Sequence, residues 1–428
     1  MKKSIDNKNN NNTNEEIFPM VEFLASLGID NINMFELSDY VEQSLLLRKL
    51  QGFVEKYDED GKKRQEKHGG SSSTPHLSLG VGRTAYEFLF ALMGSDKDSR
   101  VLVKHNDDEN GEGKRRVFIS VISLNAGAHF KDIVDKAHAV ILVGGTLRPM
   151  SELQAQLCPH LAHNVTTFAC GHVVPPSNLS CLVVSTGPSG SAMNFSFSNR
   201  RARHKHLSTE LFGTLRNVCT VVPQGVVCFL PSFRYAKNLR TQWEQSGQLL
   251  QIRKKKKIFW EPRNASDVET TLDLYSKAAI DQDGSGAILF CVVGAKMSEG
   301  INFANGLARC VVMVGLPFAP PSSAELKERM KWLDSRPNHV FSSSSSSSSS
   351  SPGQQYYVNL CMRAVNQSIG RAIRHINDYA CILLVDERFG QSRIQSKLPP
   401  WIRDRTVIPQ RFGQCVGIVA KFFREKKR

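Results

Sequence analysis

Ala287-Ile288-Leu289-Phe290-Cys291-Val292-Val293 runs without a polar interruption into Gly294-Ala295-Lys296-Met297-Ser298-Glu299-Gly300-Ile301-Asn302-Phe303. Seven consecutive apolar residues, rich in β-branched and aromatic types, form a strand that needs cover on both faces. The Gly294–Phe303 stretch packs Lys, Ser, Glu and Asn between glycines, a composition that suits contact with a ligand. The same texture recurs on both sides. Strands are expected at Ala139–Val143, Cys181–Ser185, Gly225–Leu230, Lys257–Trp260, Cys310–Val314 and Ala380–Val385. Helical spacing fills the intervals near 207–219, 233–246, 266–279 and 358–374. Apolar strands alternating with helices predict an α/β fold, a parallel sheet with helices on both faces. In such sheets, ligands gather where strands end and loops begin.

Outward from that region the pattern changes. Residues 1–16 are Asn-rich and polar and are expected to be disordered. Helical spacing covers much of Ile17–Tyr57. A charged, Gly/Ser-rich loop is expected at 58–78, a helix at Ala85–Met93 and a strand-loop-strand unit at Asp96–Arg116. Ten serines at 342–351 interrupt one connection and carry no assignable chemistry. The 428 residues suffice for two to three domains. A net charge of +15 favours a polyanionic partner, without separating DNA, RNA and acidic membrane. No apolar run approaches the roughly 20 residues of a membrane span, and no membrane partner is expected. Ten cysteines occur with no C-x-x-C pair. Several lie inside apolar strand candidates (Cys228, Cys291, Cys310, Cys381) and are expected to be reduced core residues, with no metal site.

Three stretches carry candidate chemistry. Val140–Val143 runs into Gly144-Gly145-Thr146, where glycines permit close backbone approach and Thr146 offers a hydroxyl. The second is the Gly294–Phe303 loop. The third is Gln367-Ser368-Ile369-Gly370-Arg371-Ala372-Ile373-Arg374-His375. On a helix, Gln367, Arg371 and Arg374 would share one face. A guanidinium forks onto phosphate oxygens, as an arginine finger does on a transferring γ-phosphate. Basic clusters stand at Arg200-Arg201-Ala202-Arg203-His204-Lys205-His206, at Arg253–Lys257 and at the carboxyl end. They suit phosphate contacts that give affinity without sequence choice.

Taken together with Asp30–Phe35, Gly171–Pro176, Gly225–Phe233, Ala364–His375 and Leu398–Arg403, these stretches resemble the XPD-like iron–sulfur DNA helicases of superfamily two. The ChlR subgroup, nuclear helicases tied to sister-chromatid cohesion, is the nearest resemblance. It extends over roughly 17–428, apart from the serine run and the loop at 58–78. The resemblance implies a RecA-like second motor domain at 178–428, the tail of motor domain one at 126–165 and a mainly helical remnant of an Arch-like domain at 17–125. It also implies roles. Gly145 and Thr146 match motif III and are expected at the nucleotide. Lys296–Phe303 matches motif V, with Glu299 and Gly300 toward the nucleotide and Lys296 and Ser298 toward DNA. Gln367, Arg371 and Arg374 match motif VI, with the arginines on the γ-phosphate. Arg200, Arg201, Lys254 and Lys255 are expected on DNA. The partners implied are single-stranded or forked DNA, ATP with Mg²⁺, and replication or cohesion proteins. The implied location is the nucleus and the implied direction 5′ to 3′.

Other parts of that family's machinery are not in the sequence. It contains no G-x-x-x-x-G-K-[ST] loop, no D-E-x-H and no cysteine spacing that fits an iron–sulfur cluster. ATP and Mg²⁺ are therefore expected only when a half bearing the phosphate loop is present. Alone, the chain is expected to be inactive as an ATPase, as a fragment, a truncated gene product or a module retained for binding DNA or a partner.

Overall fold

The computed structural model describes residues 15–46, 48–49, 79–106, 116–145, 147–159, 161, 164–281, 284–300, 303, 305–336 and 351–426. The loop expected at 58–78 and nearly all of the serine run lie outside them. The described chain forms two compact units, residues 1–138 with 320–336 and residues 139–319 with 337–428.

The first unit holds a three-stranded antiparallel sheet, β1 (Glu15–Pro19), β2 (Ser99–Asn106) and β3 (Arg116–Ser123), in the order β1-β2-β3. Glu15 and Glu16 thus belong to a strand, not to the polar tail expected at 1–16. Helices Met20–Leu27, Met34–Gln43, Leu79–Met93 and Ala126–Lys136 surround it. Asn33 caps the second of these, its side chain accepting from the Phe35 and Glu36 amides. Met20, Phe23, Leu92 and Val101 form the small core. Helix Ala324–Ser335 completes this unit. Arg100 pairs with Glu328 at 2.8 Å, and the Trp332 indole donates to Asp98 at 3.0 Å.

The second unit is built on seven parallel strands in the order β10-β4-β9-β8-β5-β7-β6. They are β4 (Leu179–Val183), β5 (Gly225–Leu230), β6 (Lys257–Trp260), β7 (Ala287–Val292), β8 (Cys310–Val314), β9 (Ala380–Val385) and β10 (Thr406–Val407). The expected strands match except at the ends of the chain order. β10 carries only two residues, too short to show a period. Ala139–Val143 is not a strand: it pairs with nothing, and Ile141 and Val143 stand 83% and 89% exposed. Its composition is that of a strand, but no neighbouring strand among the described residues supplies the ladder.

Alternate residues of each central strand feed two separate cores. Val226, Cys228, Leu230, Ile288, Phe290 and Val312 face one side. Val227, Phe229, Leu289, Cys291, Val311 and Met313 face the other. This is why the strands read as continuous apolar runs. Helix His204–Val221 covers the first face through Leu207, Leu211, Leu215 and Val218 at steps of four and three, beside Trp243 of helix Phe233–Gln245. Helices Ser266–Ile280 and Pro352–Ile369 cover the second through Tyr275, Ala279, Cys361, Val365 and Ile369. The fold is α/β with a parallel sheet covered on both faces, as the apolar pattern predicts, and RecA-like, as the resemblance implies. Eight of the ten cysteines are buried and every one is free. Among the described residues no helix is long and apolar enough to cross a membrane.

Candidate functional site

β7 ends at Val292, and Gly294, in the left-handed region at φ +75°, turns the chain into the short helix Lys296–Gly300. Lys296 is exposed and Met297 is buried in the second core. Ser298, expected toward DNA, is buried. It is only 3% exposed and its hydroxyl donates to the Ala295 carbonyl at 2.7 Å, so the short helix needs it internally. Glu299 and Gly300 lie on this helix.

Glu261, directly after β6, fixes the turn. Its carboxylate accepts from the Val292 amide and the Met297 amide, each at 2.8 Å. Burial raises its pKa, and the two amide donors oppose the shift. Sequence reasoning passed over Glu261. Its one signal was an acid directly after an apolar strand.

The 296–300 helix packs against helix Pro352–Ile369. That helix stops at Ile369, capped at Gly370, so Gln367, Arg371 and Arg374 do not share a helix face. Gln367 is exposed on the last turn. Arg371 and Arg374 lie on the connection into β9, half-buried and exposed. Between them, Ala372 and Ile373 sink into the second core. His375 meets the Asn305 side chain at 2.7 Å. Behind it, Arg309 donates to Asp378 and to Gln224, each at 2.9 Å, and lies over Tyr379 at 3.8 Å.

A buried acid joins the segment after Gly144-Gly145 to the 352–369 helix. Glu152, on helix Met150–Leu157, is 3% exposed. It accepts from Arg363 at 2.8 Å, from Gln156 at 3.1 Å and from Asn359, and Lys397 reaches the same Asn359. Desolvation raises the Glu152 pKa against the pull of Arg363. Gly145 is exposed, and Thr146 lies outside the described residues. The Gly171–Pro176 and Leu398–Arg403 stretches also meet, with His172 stacked on Trp401 at 4.2 Å.

The basic candidates separate. Lys296 comes after β7, and Arg200 and Arg201, on helix Phe197–Ala202, come after β4, so they stand toward the carboxyl ends of the strands. Lys254 and Lys255 are exposed in the turn that enters β6, at the opposite edge. Their neighbour Lys256 is fully buried and donates to the Gln224 carbonyl at 2.7 Å and the Ser285 carbonyl at 3.1 Å. The Arg253–Lys257 run is therefore not a uniform solvated patch.

A family model described as the helicase C-terminal domain matches residues 215–405. The chain is 38% identical, over 97% of its length, to ATP-dependent DNA helicase DDX11 of Danio rerio, covering 49% of that protein. It is 40% identical, over 88% of its length, to ATP-dependent DNA helicase CHL1 of Scheffersomyces stipitis, covering 43% of it. Over most of its length the chain is similar to the ChlR group of XPD-like helicases. It spans about half the length of the curated relatives it matches. A solved XPD helicase structure superposes at a TM-score of 0.49 with 17% identity, over 84% of this chain and 55% of that one. This XPD-like chain carries the parallel sheet, the 296–300 helix and the arginine segment. Among its described residues, no three His, Cys, Asp or Glu side chains group to hold a metal.

Proposed function

We propose that this chain acts as the second motor domain of a nuclear ATP-dependent DNA helicase of the ChlR type, moving 5′ to 3′ and serving replication, repair and sister-chromatid cohesion. The observation that supports the reading is the packing of the 296–300 helix against the 352–369 helix just ahead of Arg371 and Arg374. It places the strand-end loop and the arginine segment on one side of one sheet. ATP and Mg²⁺ would bind only with a half that supplies the phosphate loop. In that complex Arg371 and Arg374 would meet the γ-phosphate, Gln367 would order the site, and Gly145, Thr146, Glu299 and Gly300 would border the nucleotide. Lys296, Arg200 and Arg201 would hold the DNA backbone. Residues 17–125, the Arch-like remnant, would help clamp a single strand.

The purified chain alone should show no DNA-stimulated ATP turnover. Robust turnover that Arg371→Ala abolishes would contradict the proposal. When a phosphate-loop half from a DDX11 or CHL1 relative is supplied, turnover should appear, and Arg371→Ala should lower kcat by about 10³–10⁵. Arg374→Lys keeps the charge and loses the planar fork, so it should remain badly impaired while nucleotide affinity changes far less. Near-normal kcat in both variants would reduce the segment to a basic surface. The absent phosphate loop also favours a second reading, a catalytically inactive module that binds DNA or a partner through the same fold. Single-strand binding without any complementation by the phosphate-loop half would select it.

A further inference from the structure

Arg200 differs from the other arginines of its cluster. Arg201 and Arg203 are exposed, whereas Arg200 is half-buried, its guanidinium 5.4 Å from the centroid of the buried Tyr235 ring. Its Nε is shielded from solvent and has no hydrogen-bond partner. The Nε2 of His204, whose ring meets the same Tyr235 edge-on at 6.2 Å, is also shielded and without a partner. Buried polar nitrogens without partners are costly and uncommon, and call for an explanation.

The neighbouring acid does not supply one. Asp386, fully buried after β9, acts electrostatically on Arg200 but is already committed. It takes both prongs of Arg388, Nε at 2.9 Å and Nη2 at 2.7 Å, and the Phe195 amide at 2.9 Å. Arg388 also acts on Arg200, as a like charge. One carboxylate thus serves two guanidinium groups, leaving a local excess of positive charge in a partly desolvated place. Burial, and the presence of Arg388, lower the Arg200 pKa. The four elements involved are the 197–202 helix, the start of helix His204–Val221, the start of helix Phe233–Gln245 and the segment after β9. All lie beyond the carboxyl ends of strands β4, β5 and β9, the edge where α/β sheets take ligands.

We propose that Arg200, with His204 beside it and the Asp386–Arg388 pair behind it, forms a subsite for one phosphodiester of a single DNA strand. The remaining N–H groups of the half-buried guanidinium meet a phosphate oxygen, which neutralises the excess charge, while the Tyr235 ring lies 5.4 Å away. The proposal rests on the reading of this chain as a DNA-binding motor domain and adds the position at which the backbone is gripped. A free nucleotide presents the same phosphate chemistry, so the test carries an arm for each.

The experiment uses the whole chain. A labelled twelve-nucleotide oligo-dT is titrated at several salt concentrations, with ATP as a competitor, for the wild type and for Arg200→Gln, Arg200→Lys and Lys277→Gln. Lys277 lies on helix Ser266–Ile280, exposed and paired with Asp273, and controls for loss of one charge elsewhere. Arg200→Gln should weaken binding about three- to tenfold and reduce the log–log salt slope by about 0.7, the value for one phosphate on a single strand. Arg200→Lys should keep the slope and lose affinity, because the charge remains without the fork. It also serves if the glutamine variant does not fold. Lys277→Gln should leave both quantities nearly unchanged. Equal losses in Arg200→Gln and Lys277→Gln would overturn the subsite while leaving DNA binding standing. Displacement of oligo-dT by ATP in the wild type but not in Arg200→Gln would overturn it in favour of a nucleotide phosphate. Absence of salt-sensitive binding by the wild type would overturn the DNA reading itself.

Discussion

The two edges of the seven-stranded sheet are both rich in charge, and they use it in opposite ways. At the edge where strands begin, the buried charges are consumed internally. Lys256 donates to two backbone carbonyls, Arg309 is shared between Asp378 and Gln224, and Asp378 also accepts from the Asn305 and Tyr379 amides. At Gly286 a Cβ would come within 2.2 Å of the Gln224 carbonyl, so this edge is also tightly closed. At the edge where strands end, Arg200 and His204 keep unpartnered nitrogens and Lys296 stands in solvent. A cation whose donors are all matched by the protein is part of the scaffold. A cation with orphaned donors at a strand end is placed for something else.

The largest test of this contrast is Asp378→Ala. It strands Arg309, only 11% exposed, without its carboxylate. A loss of about 3–5 kcal/mol is expected from breaking a buried pair on one side. Urea denaturation measures it, and the protein that remains folded should bind DNA normally. If DNA binding falls with stability kept, the first edge is not mere scaffold.

Glu261→Ala belongs to the second edge and removes the acceptor of the Val292 and Met297 amides. Two buried amides left unmatched should cost about 2–3 kcal/mol. Hydrogen exchange should quicken around Lys296 while the start of β5 stays protected. Uniform quickening would mean that Glu261 supports the sheet as a whole.

Lys256 sharpens the comparison through pH. Burial pushes its pKa down to about 8 from 10.5. The folded protein therefore binds fewer protons than the unfolded chain between those values, so this lysine makes stability rise with pH from about 8 to 10.5. Below pH 8 the cost of its buried charge is present in full. The difference in stability between wild type and Lys256→Met, followed over that window, should move in favour of the wild type as pH rises. A flat difference would place the charge in contact with water.

The smallest effect is expected from Lys254→Gln and Lys255→Gln, exposed at the first edge. Stability should stay within about 0.5 kcal/mol, and DNA affinity should change less than in Lys296→Gln at the second edge. The reverse order would undo the division between the edges.

Much of this architecture was legible in the residues themselves. Six of the seven expected strands exist because a run such as Val226–Leu230 can only be satisfied with cover on both sides. Local composition sufficed wherever burial was demanded by the run's own chemistry. It failed where the outcome depended on a partner. Ala139–Val143 has a strand's residues and no ladder to join. Arg371 and Arg374 have helical spacing, but the helix ends at Ile369 and both lie on the connection into β9. Ser298 is polar in a loop of glycines, yet its hydroxyl is used within the turn. Lys256 and Lys255 are adjacent and identical in type, and one is buried while the other is exposed. By itself the sequence determined the layers of the fold and most of the strands along the chain, because these depend on nearest neighbours and periodicity. Only the tertiary structure decided which charges are spent and which remain available, because that depends on acceptors tens to hundreds of residues away: Asp378 for Arg309, Gln224 and Ser285 for Lys256, and Asp386, already taken by Arg388, for Arg200.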